Sequence, residues 1–100
     1  MIEMKNLNEI KKILEENKAE LRKRFRVKKI GVFGSYARNE QKNKSDLDIL
    51  VEFSEPIGLF EFMDLEDYLV DLVGVKIDLV SKKALKPNIG KQILSEVAYV

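Results

Sequence analysis

A chain of 100 residues with 45% apolar and 35% charged side chains is sized for one small core, burying roughly two-thirds of the surface its unfolded form exposes, so residues 1–100 are expected to form a single domain with no separate lobe for a large substrate. The apolar share is too high for a disordered chain, no apolar run approaches the ~18 residues of a membrane span, and the opening MIEMKNLNEIKK lacks the apolar core of a secretion signal; the expected location is the cytoplasm. There is no cysteine and no histidine, which excludes disulfides, thiolate catalysis, zinc–thiolate sites and imidazole bases, and leaves carboxylates, hydroxyls, Lys, Arg, Tyr and the backbone to do any chemistry, with hard, oxygen-bound cations as the expected metals.

Residues 6–25 predict one amphipathic helix, with Leu7, Ile10, Leu14, Leu21 and Phe25 on one face and Asn6 and Glu9 spaced as a capping pair. VKKIGVF, residues 27–33, reads as a buried strand that Gly34-Ser35 breaks. One helical turn follows from Tyr36 to Asn39, then a polar loop EQKNKS. DLDILVEF, residues 46–53, is the clearest strand: Leu47, Ile49, Val51 and Phe53 alternate with Asp46, Asp48, Leu50 and Glu52. After Glu55-Pro56 and Gly58, a second helix carries Leu59, Phe62, Leu65 (or Met63), Leu69 and Leu72 as its buried stripe and ends at Gly74. Residues 75–80, VKIDLV, alternate again, and Pro87 opens a last helix through about Glu96. The order predicts an α/β (α+β) domain, with helices flanking a small sheet in two or three layers.

Charge is segregated along this order. Residues 1–30 hold ten Lys/Arg against five Asp/Glu, residues 31–80 four against eleven, and residues 81–100 four against one. An acidic centre between basic ends suits a metal in the middle and a charged partner outside. It argues against a direct nucleic-acid substrate, which calls for a basic excess throughout.

Asp46 and Asp48 leave one face of a strand together. Such a pair is either solvated at a strand start or offset by a cation, because adjacent carboxylates raise each other's pKa. Gly34-Ser35 between strand and helical turn is either an ordinary turn, with Gly at positive φ and Ser as cap, or a place where backbone N–H groups hold phosphate. Asp78, inside an apolar strand, calls for a partner or a metal. Three carboxylates from two strands beside a phosphate-binding turn make the arrangement that two-metal phosphoryl or nucleotidyl transfer needs.

Gly34-Ser35, ten intervening residues and then Asp46-x-Asp48 resemble the signature of the polymerase-β-like nucleotidyltransferases. GSYAR, SDLDILVEF, KIDLVS and the tail ILSEVAYV are similar to their minimal members over nearly the whole chain. The resemblance implies that fold, with a small mixed sheet. It implies that Gly34 and Ser35 hold the triphosphate of ATP, that Asp46 and Asp48 coordinate two Mg²⁺ ions, and that Asp78 helps bind one of them and activates the attacking hydroxyl. Arg38 is placed either to contact phosphate or to form a structural ion pair. Asn39 stands where the family commonly has Gly, and Asn tolerates the left-handed conformation that position calls for.

Minimal members of the group are similar to antitoxins paired with helical HEPN toxins, so the resemblance implies a protein adenylyltransferase that moves AMP from ATP to a tyrosine of such a toxin and silences it, working as a hetero-oligomer with the toxin or as a homo-oligomer. Two other functions fit the same residues: an antitoxin that neutralises by binding alone, and a small-molecule nucleotidyltransferase whose acceptor pocket forms in a homo-oligomer.

Overall fold

The computed structural model describes residues 5–42 and 45–100, so the first four residues and the middle of the predicted 40–45 loop lie outside the described residues. Asn6 and Glu9 cap the first helix reciprocally: Asn6 Oδ1 accepts from the Glu9 N–H at 2.9 Å and Glu9 Oε1 accepts from the Asn6 N–H at 3.3 Å. The predicted single helix is two. α1 runs Leu7–Glu16 and α2 Lys18–Phe25. Asn17 separates them, because its side-chain amide donates to the Ile13 carbonyl at 2.8 Å and so competes for the helix's own acceptors. The bend still turns Ile10, Leu14, Leu21 and Phe25 into one core.

β1 (Val27–Phe33), the single turn α3 (Gly34–Ala37), β2 (Leu47–Phe53), α4 (Leu59–Val73), β3 (Ile77–Ser81), a 3₁₀ turn (Lys82–Ala84), α5 (Pro87–Glu96) and β4 (Ala98–Tyr99) complete the chain. The sheet has the order β3-β2-β1-β4. β1 pairs antiparallel with β2 and with β4, and β2 pairs parallel with β3, so the sheet is small and mixed, as the polymerase-β-like fold implies. β4 has only two residues and escapes a reading by alternation.

One face of the sheet carries Ile30, Val32, Leu47, Ile49, Val51, Ile77 and Leu79 into a core shared with α1, α2 and α4. Two layers result on that side. On α4 the buried residues are Leu65, Leu69 and Val73, while Leu59 is 71% exposed. The helix therefore overhangs the sheet at its start, and the predicted stripe slips by one residue at its end. Gly74 closes α4 at φ 80°, the left-handed cap that its position predicts. The opposite face presents Asp48, Leu50 and Glu52 from β2, Asp78 from β3 and Phe33 from β1, and there the chemistry gathers.

Candidate active site

β2 and β3 run parallel with Asp48 opposite Asp78. Sheet register alone brings these two carboxylates together, at the N-terminal ends of two strands and far from the C-terminal ends of the same strands. Phe33 is the cross-strand partner of Asp48 on the other side and is buried, so the acid is flanked by a ring and a second acid. Burial, then the Asp78 carboxyl through charge and hydrogen bonding, then the charge of Asp46, push the pKa of Asp48 up to about 6; the positive Arg38 pulls weakly the other way. Asp46 lies half-buried just ahead of β2. Its charge also reaches Tyr36, whose phenol is raised first by burial and then by Asp46. Among the described residues no three His, Cys, Asp or Glu side chains are gathered where they could hold a metal ion together, so the expected set of Asp46, Asp48 and Asp78 is not assembled and the register joins only Asp48 and Asp78. The pair Asp48–Asp78 is what a divalent cation suits: two hard oxygen donors side by side, one holding its proton unusually tightly because it is buried against a second acid.

The turn after β1 comes up against this pair. Gly34 has φ 72°, a conformation that L side chains adopt at a cost. A Cβ built on it would collide with Asp48 Oδ2 and stand 3.0 Å from Asp48 Cγ. Glycine at this position is therefore required twice, by backbone conformation and by the approach of the carboxylate. Ser35 does not cap α3 as an ordinary turn would have it. Phe33 occupies the cap position, no side chain caps the helix, and Ser35 is the second helical residue, half-buried. Asn39 takes φ 59°, so its left-handed tolerance is used.

Arg38 leaves the end of α3 and forms two ion pairs. Its Nη1 donates to Glu96 Oε2 at 3.0 Å and its Nε to Glu40 Oε2 at 3.3 Å. Both acids favour the charged guanidinium, Glu96 most. The ion-pair reading of Arg38 is thus present in the structure, and its closeness to Asp48 keeps it at the site. Glu96, which the sequence pattern marks only as the end of a helix, also accepts the Gly34 N–H on Oε1 at 3.1 Å. No spacing rule joins Glu96 to Gly34, 62 residues away. The nearest sequence signal is an acid at the end of a helix whose other charged residue is Lys91, where the helix dipole disfavours it.

Among the described residues no helix is long and apolar enough to cross a membrane. The nucleotidyltransferase domain family matches residues 7–100. The protein adenylyltransferase MntA of Thermococcus cleftensis is 54% identical over 97 residues, covering 97% of this chain and 98% of that protein. A solved structure described as a candidate minimal nucleotidyltransferase superposes with a TM-score of 0.74 at 35% identity, covering 89% of this chain and 93% of the other. A chain from the complex of a tri-AMPylated Shewanella oneidensis HEPN toxin with its MNT antitoxin shares the fold, with a TM-score of 0.60 at 22% identity over 94% of this chain and 67% of the other.

Proposed function

This chain belongs to the nucleotidyltransferase domain family, and from that premise we propose that it transfers AMP from ATP to a tyrosine hydroxyl of a HEPN-type toxin, acting in the cytoplasm as that toxin's antitoxin. The observation that carries the transfer chemistry is the contact between the Gly34 turn and Asp48, with Asp78 in register beside it. The protein acceptor is supported by the adenylyltransferase MntA, alike over nearly the whole of both chains.

Asp46, Asp48 and Asp78 are the residues that would hold Mg²⁺, two ions in the two-metal reading. Bound there, the metal would neutralise phosphate charge and lower the pKa of the attacking hydroxyl. The chain's own residues do the rest. Gly34, lacking Cβ, lets the Asp48 carboxylate come up against the turn. Ser35 offers a hydroxyl and an N–H at the same turn. Arg38 commits two of its five N–H donors to Glu96 and Glu40, which leaves three for phosphate oxygens. Asp78, exposed and next to Asp48, takes the phenolic proton in this reading. The tyrosine oxygen forms a bond to the α-phosphorus, the bond from that phosphorus to the α–β bridging oxygen breaks, and diphosphate leaves.

The test is intact-mass measurement of a HEPN toxin, such as the Shewanella protein or one encoded beside this chain's gene, after incubation with this protein, ATP and Mg²⁺. The reading expects a gain of about 329 Da for each AMP, located on tyrosine, with loss of toxicity. Tight binding and full neutralisation without any gain in mass would instead establish an antitoxin that acts by binding.

A further inference from the structure

Glu96 is the side chain that touches both parts of the phosphate turn. One carboxylate oxygen accepts the Gly34 N–H at 3.1 Å and the other accepts Arg38 Nη1 at 3.0 Å. Its side chain is 22% exposed, half the 45% of Arg38, so the pair sits at the edge of the fold with the acid on the inner side. The acid is also firmly placed. Directly after it the chain closes on β1: the Val97 N–H bonds to the Ile93 carbonyl, Ala98 pairs with Val32, and the Val100 N–H donates to the Ile30 carbonyl at 3.0 Å. Gly31 lets this happen, since a Cβ there would stand 2.7 Å from Val97 Cγ2 and 3.0 Å from the Ala98 carbonyl oxygen. An acid fixed by the backbone on its C-terminal side, holding two groups of one turn, restricts both of them.

We propose that Glu96 is a positioning residue for the nucleotide: it fixes the Gly34 peptide and aims the Arg38 guanidinium so that the donors left free on Arg38 meet the phosphates. The inference rests on the nucleotidyltransferase reading of the turn. Two consequences separate it from a purely structural role. Part of what Glu96 does passes through Arg38, so the two residues are not independent in nucleotide binding. A glutamine at 96 keeps an oxygen for the Gly34 N–H and loses the charged partner of Arg38, so it restores part of the function.

The experiment is calorimetric titration of the full chain with AMP-PNP and Mg²⁺, with thermal unfolding run alongside. Glu96→Ala is expected to weaken binding about tenfold, and Glu96→Gln about threefold, in keeping with one charge-assisted hydrogen bond and one ordinary one. Arg38→Ala is expected to weaken it about tenfold, and the double variant Glu96→Ala with Arg38→Ala no more than about twentyfold instead of the hundredfold of independent effects. Should Glu96→Ala fold poorly, Glu96→Gln with Arg38→Ala gives the same comparison in a milder background. The proposal is overturned if the wild type binds and the Glu96 variants bind as tightly, or if the two losses multiply in the double variant. A wild type that fails to bind AMP-PNP with Mg²⁺ at millimolar concentration overturns the nucleotidyltransferase reading itself, and the proposal falls with it.

Discussion

Asp48 and Asp78 stand opposite each other because two parallel strands fix their register, whereas the Gly34 N–H and the Arg38 guanidinium meet on a single carboxylate that arrives from α5. The carboxylate half of the site is held by a ladder that includes five residue pairs from Leu47–Ile77 to Val51–Ser81. The turn half is held by its own backbone hydrogen bonds, by the buried Tyr36 and by the two hydrogen bonds that Glu96 accepts. The difference has an energetic side. The acids are strained by their own charges, so removing one relieves the fold and harms only the chemistry. The turn is strained by its shape, so crowding it harms both.

The largest effect is expected where the two halves meet. Gly34→Ala forces a left-handed φ of 72° on an L residue and drives its Cβ into Asp48 Oδ2. Together these should cost about 2–4 kcal/mol of stability, measurable by urea unfolding, and should abolish AMP transfer. Pairing it with Asp48→Ala takes away the clashing carboxylate while leaving the φ cost. If the pair recovers none of the lost stability, the halves are not in contact and the comparison fails.

Asp48→Asn should split the two properties. Transfer is lost with the carboxylate, while the apo fold gains. The folded-state pKa of Asp48 stands at about 6, above the ~3.9 of an unfolded aspartate, so the native state binds that proton more tightly. Its favourable contribution is complete below about pH 4 and is lost as pH rises through 6. The asparagine variant should therefore match the wild type near pH 4 and exceed it at pH 7.5. Linkage at full burial would give about 3 kcal/mol, which solvent screening of a half-exposed group reduces to about 1–2 kcal/mol. A variant that is less stable than wild type at pH 7.5 would mean that the pair contributes to the fold, and the contrast with the turn would disappear.

What could be read in the sequence divides along the same line. Period-two alternation puts Asp48 and Asp78 on strands, and the buried run that Gly34-Ser35 breaks gives β1 its bounds of Val27–Phe33, while Asp46, expected as the first strand residue, lies just ahead of β2. The pairing of Asp48 with Asp78 follows once those strands are parallel neighbours. Glu96 could not be found this way. Its partners lie 62 and 58 residues away, and its role depends on a two-residue strand too short to alternate. Asn17 escapes for the opposite reason: its side chain overrides a good helical period through one bond to its own backbone. Leu59 shows a third limit, since periodicity says which residues share a helix face but not how far the sheet beneath it extends.

The smallest effect concerns the exit of the turn. Asn39 holds φ 59° and donates its N–H to the Tyr36 carbonyl at 3.3 Å, and it is exposed. Asn39→Gly would relieve the left-handed strain of about 1 kcal/mol but would loosen the unfolded chain by a comparable amount. The net change should stay within about 1 kcal/mol on the stabilising side, a rise in Tm of a few degrees at most. Arg38 and Gly34 keep their tether to Glu96 in this variant, so AMP-PNP affinity should remain within about twofold. That outcome would place the boundary of the turn half at Arg38. A larger loss would move it one residue on, and would mean that the conformation of residue 39, together with Glu96, sets where Arg38 points.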